Sequence, residues 1–252
     1  MFFCHGIVQP QRTKIQMNLL KKYITAFIKF YNKIKKSTYI SQYDLFEQEE
    51  LKKCFEYFKK YYPSSIFLGT DELREYSINK SLENIKDNAD VLFLEFGVYK
   101  GKTLNFFAKK IKNKKIFGFD SFLGLKNDWH GHTDPAGRYN VYEKVPKVEN
   151  NCFIIKGVIE ETLEKFLREN KQKVNFIHMD LDTYESTKYV LDKLKNNLSK
   201  NCIILFDQFY NFAGWRSGEF KSFTEVFKEG EYQYLAFSKN STNVCLKINI
   251  NN

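Results

Sequence analysis

Three acids and one amide, each just beyond an apolar run, are the residues best suited to chemistry. Asp180 and Asp182 lie in His178-Met-Asp180-Leu-Asp182-Thr-Tyr184-Glu-Ser186-Thr187, and the pair Asp207-Gln208 follows Phe206. Alternation along an extended chain puts His178, Asp180 and Asp182 on one side. If the two apolar runs are neighbouring strands, Asp180 and Asp207 converge. Carboxylates so close repel each other unless a cation, a shared proton or water lies between them. Two carboxylates, an amide oxygen and water make an oxygen-rich site suited to Mg²⁺. The plainer alternative is that Asp182 and Asp207 only cap the helices that follow. His178, inside an apolar run, reads as a hydrogen-bonded core residue rather than a base.

A second group of residues suits a ligand with a backbone-hugging end. Glu95-Phe-Gly97-Val-Tyr-Lys-Gly101-Lys-Thr103 follows one apolar run and opens a helical pattern. Glycines there let the chain turn tightly and approach a ligand closely. The G-x-x-x-G spacing is neither the dinucleotide fingerprint nor a P-loop. An acid before the first glycine repels a pyrophosphate and attracts an ammonium group. Asp120-Ser121 ends the next run, where an acid can accept hydrogen bonds from ribose hydroxyls. An ordinary strand-to-helix turn and a capping Asp are the bland readings of these two motifs. No Cys/His grouping has zinc-ligand spacing.

The elements that must hold these groups are legible from periodicity. From residue 91 short apolar runs alternate with helical patterns. The runs are Val91–Phe96, Lys115–Phe119, Cys152–Ile155, Val174–Met179 and Cys202–Phe206, and the helices are Lys102–Ile111, Ile159–Glu169 and Glu185–Leu198. Repeated β-α-β predicts an α/β sandwich with a mostly parallel sheet. Tyr232–Phe237 and Asn243–Ile248 are joined by too short a turn for a parallel crossover, so they form an antiparallel terminal hairpin. Upstream, helices are expected over 14–36, Asp44–Tyr61 and Asp71–Ile85. Tyr62–Thr70, with Pro63 and two serines, is the candidate boundary. The expected organisation is a basic helical extension over 1–65 and a catalytic domain over 66–252.

Composition narrows the classes. The 252 residues are 43% apolar and 17% aromatic with only 4 Pro, which excludes wholesale disorder. The longest apolar runs fall far short of the ~20 residues that span a bilayer. Five scattered cysteines without a C-x-x-C pair, and the absence of a leader pattern at Met1–Pro10, lead us to expect a reduced, cytoplasmic protein. The net charge of +10 is uneven: residues 1–62 hold 12 Lys/Arg and 5 Asp/Glu, the remainder 28 and 25. A near-neutral catalytic part argues against a nucleic-acid substrate. The basic stripe of 14–36 suits either an anionic membrane surface, with peripheral attachment, or packing on the domain or a second subunit.

Taken together, these motifs resemble class I S-adenosylmethionine-dependent methyltransferases, and within them the macrocin O-methyltransferase family of macrolide and aminocoumarin sugar methyltransferases. The resemblance runs from about Leu92 to Phe227. It is carried by Glu95–Thr103, by Phe119-Asp-Ser-Phe-Leu-Gly-Leu125, by Asp180–Thr187, and by Phe206–Phe223 with Asn211, Gly214-Trp215 and Gly218-Glu-Phe-Lys221. It implies a Rossmann-like seven-stranded sheet. It also implies a cofactor whose methionine end lies against Glu95 and Gly97, within the motif that includes Gly101 and Thr103, and whose ribose lies on Asp120 beside Ser121. It further implies Mg²⁺ on Asp180, Asp207 and the position of Gln208, with Asp182 as general base. Gln208 departs from the family pattern, which has an acid there; losing that charge weakens Mg²⁺ binding. The expected reaction is O-methylation of a sugar or glycan-like hydroxyl. Tyr184, Trp215 and Arg216 are the candidate substrate wall, since aromatic faces suit sugar rings and Arg suits a phosphate or carboxylate. The competing classes are a non-catalytic scaffold that keeps the fold and a nucleic-acid methyltransferase.

Overall fold

The computed structural model describes residues 20–32, 40–83, 85 and 89–250. The chain divides into two compact units, Met1–Phe46 and Glu47–Asn252. In the first unit, residues 20–32 form a helix, α1, whose residues are all exposed. The rest of the expected 14–36 helix lies outside the described residues. Helix α2, Gln42–Phe58, starts with a reciprocal cap: Ser41 N–H donates to Asp44 Oδ2 at 2.8 Å and Asp44 N–H to Ser41 Oγ at 3.1 Å.

The second unit begins earlier than the turn at 62–70 suggests. Phe58 is fully buried, and its ring lies 5.5–5.7 Å from those of Trp215, Phe220, Tyr234 and Phe237. Residues 47–65, expected in the extension, therefore belong to the larger unit, with Cys54 and Phe58 in its core. Pro63 instead starts a single 3₁₀ turn, Tyr62–Ser64.

Eight strands form one sheet. They are β1 Ile66–Leu68, β2 Leu92–Phe96, β3 Ile116–Asp120, β4 Cys152–Lys156, β5 Val174–Met179, β6 Leu198–Phe206, β7 Tyr232–Ser238 and β8 Val244–Ile248. Their order is β1-β7-β8-β6-β5-β2-β3-β4. Only β8 runs against its neighbours, pairing antiparallel with both β6 and β7. The expected hairpin is present, and the fold is the class I methyltransferase sandwich with one edge strand more than the seven anticipated. That strand, β1, pairs parallel with β7 over only three residues. A segment so short carries no periodicity to read.

Helices α3 Thr70–Glu83 and α4 Lys102–Ile111 and helices α5 Ile159–Glu169, α6 Tyr184–Leu194 and α7 Glu219–Val226 cover the two faces of the sheet. The five residues of β2 are all buried, as a strand covered on both sides must be. Leu94, Phe96, Ile177, Met179, Ile204 and Phe206 pack with α5, α6 and α7, whereas Phe93, Phe176, Ile203 and Leu205 pack with α3 and α4. Helix α4 follows from Leu104, Phe107, Ala108 and Ile111, which recur at helical spacing and are all buried. Helix α6 stops at Leu194, four residues short of the expected Leu198, because Lys195–Asn197 tightens into a 3₁₀ turn and β6 already begins at Leu198. From β2 the chain winds one way through β3 and β4, then returns to β5 and β6 on the other side. The carboxyl ends of β2 and β5 therefore flank the switch point, where open α/β sheets bind ligands.

Candidate active site

A cleft of ≈ 470 Å³ opens at this switch point. It is lined by Gly97 and Tyr99 after β2, Asp120 and Ser121 after β3, Gly157–Glu160 after β4, Asp180–Thr183 after β5 and Asp207–Gln208 after β6. Leu125, Lys126 and Tyr139, from the long loop after β3, complete the wall.

Backbone hydrogen bonds hold the strand ends in register: Gly97 N–H to Phe119 O at 3.0 Å, Asp180 N–H to Phe96 O at 2.9 Å and Asp207 N–H to Met179 O at 3.0 Å. Gly97 must be glycine. Its φ is +90°, and a Cβ there would sit 1.9 Å from the carbonyl oxygen of Asp180. Asp120 organises the same corner. Its Oδ2 accepts from the N–H groups of Val98 (2.8 Å) and Tyr99 (2.7 Å), and its Oδ1 from that of Phe122 (2.6 Å). A carboxylate has about four lone-pair sites, so capacity remains for one ligand hydroxyl.

Behind the cleft floor runs a line of buried charges. Thr103 Oγ1 donates to Glu95 Oε1 at 2.9 Å, and Glu95 Oε2 lies 3.2 Å from His178 Nδ1. On the other side of the ring, His178 Nε2 is 3.7 Å from Asp207 Oδ1, which the Arg74 guanidinium also approaches at 3.4 Å. Neither imidazole nitrogen has hydrogen-bond geometry, so these are ion contacts. Burial opposes the charged imidazole, but the carboxylates of Asp207 and Glu95 outweigh it and raise His178 to about 10. Burial likewise opposes ionisation of Asp207, yet His178 and Arg74 hold its carboxyl below the usual range. Gln208 Nε2 and Asn243 Nδ2 also donate to Asp207.

The acids that face the cleft are in the opposite state. Burial, then the charges of Asp207 and Asp182, push Asp180 well above the ordinary range. Burial, then Asp207 and Asp134, raise Asp182 to about 7. Asp182 has φ +61°, a left-handed conformation that Asp tolerates better than most residues. Gly218 makes room for it: a Cβ there would lie 2.7 Å from the Asp182 carbonyl oxygen. No described residue donates a hydrogen bond to the side chain of Asp180 or Asp182. Glu219, fully buried on α7, accepts from Gln208 N–H at 3.0 Å, and burial pushes its carboxyl up strongly.

These groups give a mixed test for a cation. Ligand atoms of His178, Asp180 and Asp207 lie within 4.8 Å of one another. No described residue donates to the Asp180 carboxylate, and Gln208 Oε1 is buried without a partner among the described residues, so both groups fit a hard cation. The charge of Asp207, in contrast, is already offset by Arg74 and His178. The donor set fits Mg²⁺, with less net negative charge than three carboxylates would bring.

The structure brings Gly97, Asp120, Ser121, Asp180, Asp182, Asp207 and Gln208 to the cleft. Six other anticipated residues do not line it. Glu95 is buried behind the floor and engaged by Thr103 and His178. Gly101 begins α4 at φ +73° against Pro146. Tyr184 points away and donates to Glu225 Oε2 at 2.7 Å. Trp215 is 2% exposed among Tyr57, Phe58 and Phe220, so its ring belongs to the core. Arg216 makes a bidentate pair with the buried Glu50 of α2, at 2.8 and 2.6 Å. His178, read as a core residue, is indeed buried, but it is the centre of the charge line. Arg74 and Asn243 carried no sequence signal. The turn Gly157-Val158-Ile159 did carry one, being a glycine between a strand and a helix.

Cleft position, topology and the single reversed strand define the class I S-adenosylmethionine-dependent methyltransferase architecture. Residues 94–209 match the family model of a methyltransferase domain. That match covers the part of the chain that carries the cleft, and it agrees with the methyltransferase architecture of the fold. Among solved structures, the chain is similar to the calicheamicin methyltransferase CalS11, with 21% identity, 96% of this chain and 94% of that one covered, and a TM-score of 0.58. An apo structure of CalS11, described as a TDP-rhamnose 3'-O-methyltransferase, matches at 23% identity over 71% of this chain and 78% of that one, with a TM-score of 0.52. The O-methyltransferase NovP matches at 15% identity over 70% and 79%, with a TM-score of 0.54. At these identities the likeness is one of fold. No curated protein matches the chain.

Proposed function

We propose that this protein methylates a hydroxyl of a sugar or glycan-like acceptor, with Asp182 taking the hydroxyl proton. The observation that carries the proposal is the placement of Asp182. Its carboxylate is buried, has no donor among the described residues, and is held in a left-handed conformation in a cleft whose other wall is Asp120. The acceptor class is supported by the sugar and O-methyltransferase descriptions of the similar structures.

S-adenosylmethionine supplies, when bound, a methyl group on a sulfonium centre open to in-line displacement. The chain's task is to align an oxygen with it. Gly97 lets the backbone approach the amino-acid end, and the remaining lone pair of Asp120 takes a ribose hydroxyl. Phe119, Val158 and Ile159 give the base an apolar wall. An alcohol is a weak nucleophile, so a positioned carboxylate that accepts its proton accelerates the attack. Asp182, raised to about 7, is ionised over a useful range and basic enough to act. A divalent cation would be held by Asp180, Asp207 and the amide oxygen of Gln208, and would polarise the acceptor hydroxyl. Tyr99 and Tyr139, whose rings meet edge to face at 5.7 Å, take over the sugar-wall role foreseen for Tyr184, Trp215 and Arg216.

The test is transfer of isotopically labelled methyl from S-adenosylmethionine to a panel of nucleotide sugars, simple phenols and RNA, with Mg²⁺ or with chelator. Label on a sugar hydroxyl, strongly reduced by Asp182→Asn, supports the reading. Label only on phenols or RNA would replace the acceptor class, and full activity of Asp182→Asn would remove Asp182 as base.

A further inference from the structure

Helix α1 presents an amphipathic surface that the cleft chemistry does not use. Leu20, Tyr23, Ile24, Phe27, Ile28 and Tyr31 are 49–69% exposed. At about 100° per residue these side chains, with Phe30, occupy one continuous arc. Lys21, Lys22 and Lys29 lie on the opposite arc with Thr25 and Asn32. The helix contains no acid. Nor does any residue before Asp44, whereas residues 1–43 hold eight Lys/Arg.

We propose that α1 docks on an anionic lipid bilayer, its apolar arc lying in the interface and its lysines reaching the headgroups. Seven adjacent apolar side chains, four of them aromatic, suit the boundary between headgroup and acyl chain. The charge pattern selects the lipid. A run of 43 residues with eight cations and no anion has no internal counter-charge, and anionic headgroups supply one. A second copy of the same helix would bring only more lysines, without the Glu partners that flank a paired helix seam. Among the described residues no helix is long and apolar enough to cross a membrane. With Lys21, Lys22 and Lys29 along one arc, the helix would keep that arc in water and lie on the surface.

The test is flotation of the full chain with phosphatidylcholine vesicles and with vesicles half phosphatidylglycerol. The expected result is binding to the anionic vesicles only, weakened by salt. Ile24→Asp/Phe27→Asp and Lys21→Gln/Lys22→Gln/Lys29→Gln are each expected to lower it at least tenfold. S-adenosylhomocysteine binding, measured on the same variants, stays at the wild-type value and reports that the catalytic unit is folded. Failure of the wild type to float with anionic vesicles would overturn the proposal. So would undiminished flotation of the Ile24→Asp/Phe27→Asp variant. A wild-type dimer in solution that this variant splits, without vesicle binding, would assign the face to a second copy instead.

Discussion

Replacing Asp182 with Asn is expected to impair catalysis and stabilise the fold at the same time. Asn is close in size and also tolerates the left-handed backbone at φ +61°. It keeps the shape of the site and removes only the ionisable group. Loss of a general base costs about 10²- to 10⁴-fold in kcat. In the wild type the acid limb of the pH–rate profile is expected near 7, with activity rising as Asp182 loses its proton, and this limb disappears in the variant. Stability changes in the opposite sense. Asp182 is raised from 3.8 to about 7, so the folded state holds the proton more tightly than the unfolded chain does. Wild-type stability therefore falls as pH rises from about 4 through about 7. At about 1.4 kcal/mol per unit, the ionised group costs on the order of 4 kcal/mol at pH 8. Asn avoids that cost, so Tm at pH 8 is expected to rise by on the order of 10 °C, with little change at pH 4. Thermal melts across pH and single-turnover methyl transfer read both effects. A variant that keeps wild-type kcat, or whose Tm at pH 8 falls, would refute the reasoning.

Gly97→Ala is expected to abolish S-adenosylhomocysteine binding, because its Cβ would fall 1.9 Å from the Asp180 carbonyl oxygen and φ is +90°; calorimetry on folded protein checks it. Arg74→Gln removes a cation 3.4 Å from Asp207, so Mg²⁺ affinity in a titration should rise by at least about tenfold. Arg216→Ala leaves Glu50, 3% exposed, without its bidentate partner, and should cost about 1–3 kcal/mol in denaturant unfolding while acceptor KM stays unchanged.

Much of the α/β scaffold could be read from periodicity, since its strands are apolar runs separated by amphipathic helices. Lys102–Ile111, Ile159–Glu169 and Val174–Met179 have the expected bounds because the change from buried to exposed face is abrupt at their ends. Strand β1 was illegible: three residues cannot show alternation, and its partner β7 lies about 170 positions away. The glycine loop and the acids after β3, β5 and β6 were legible because strand ends at a switch point are fixed by topology. What failed was side-chain direction. Trp215 and Arg216 lie near the site in sequence, but packing on Phe58 and pairing with Glu50 turn them away from the cleft. Glu95 shows the same limit, since strand alternation sends it to the layer holding His178 rather than into the cavity. Arg74 reaches Asp207 across 133 positions, a contact no local pattern could announce.

The central claim is that the cleft at the ends of β2, β3 and β5 holds S-adenosylmethionine through Asp120. Calorimetric titration of S-adenosylhomocysteine into the wild type and into Asp120→Asn tests it most directly. Micromolar binding to the wild type is expected, with a loss of at least tenfold in the variant, which retains the fold by circular dichroism. Absence of binding to well-folded wild-type protein, or equal binding by Asp120→Asn, would contradict it.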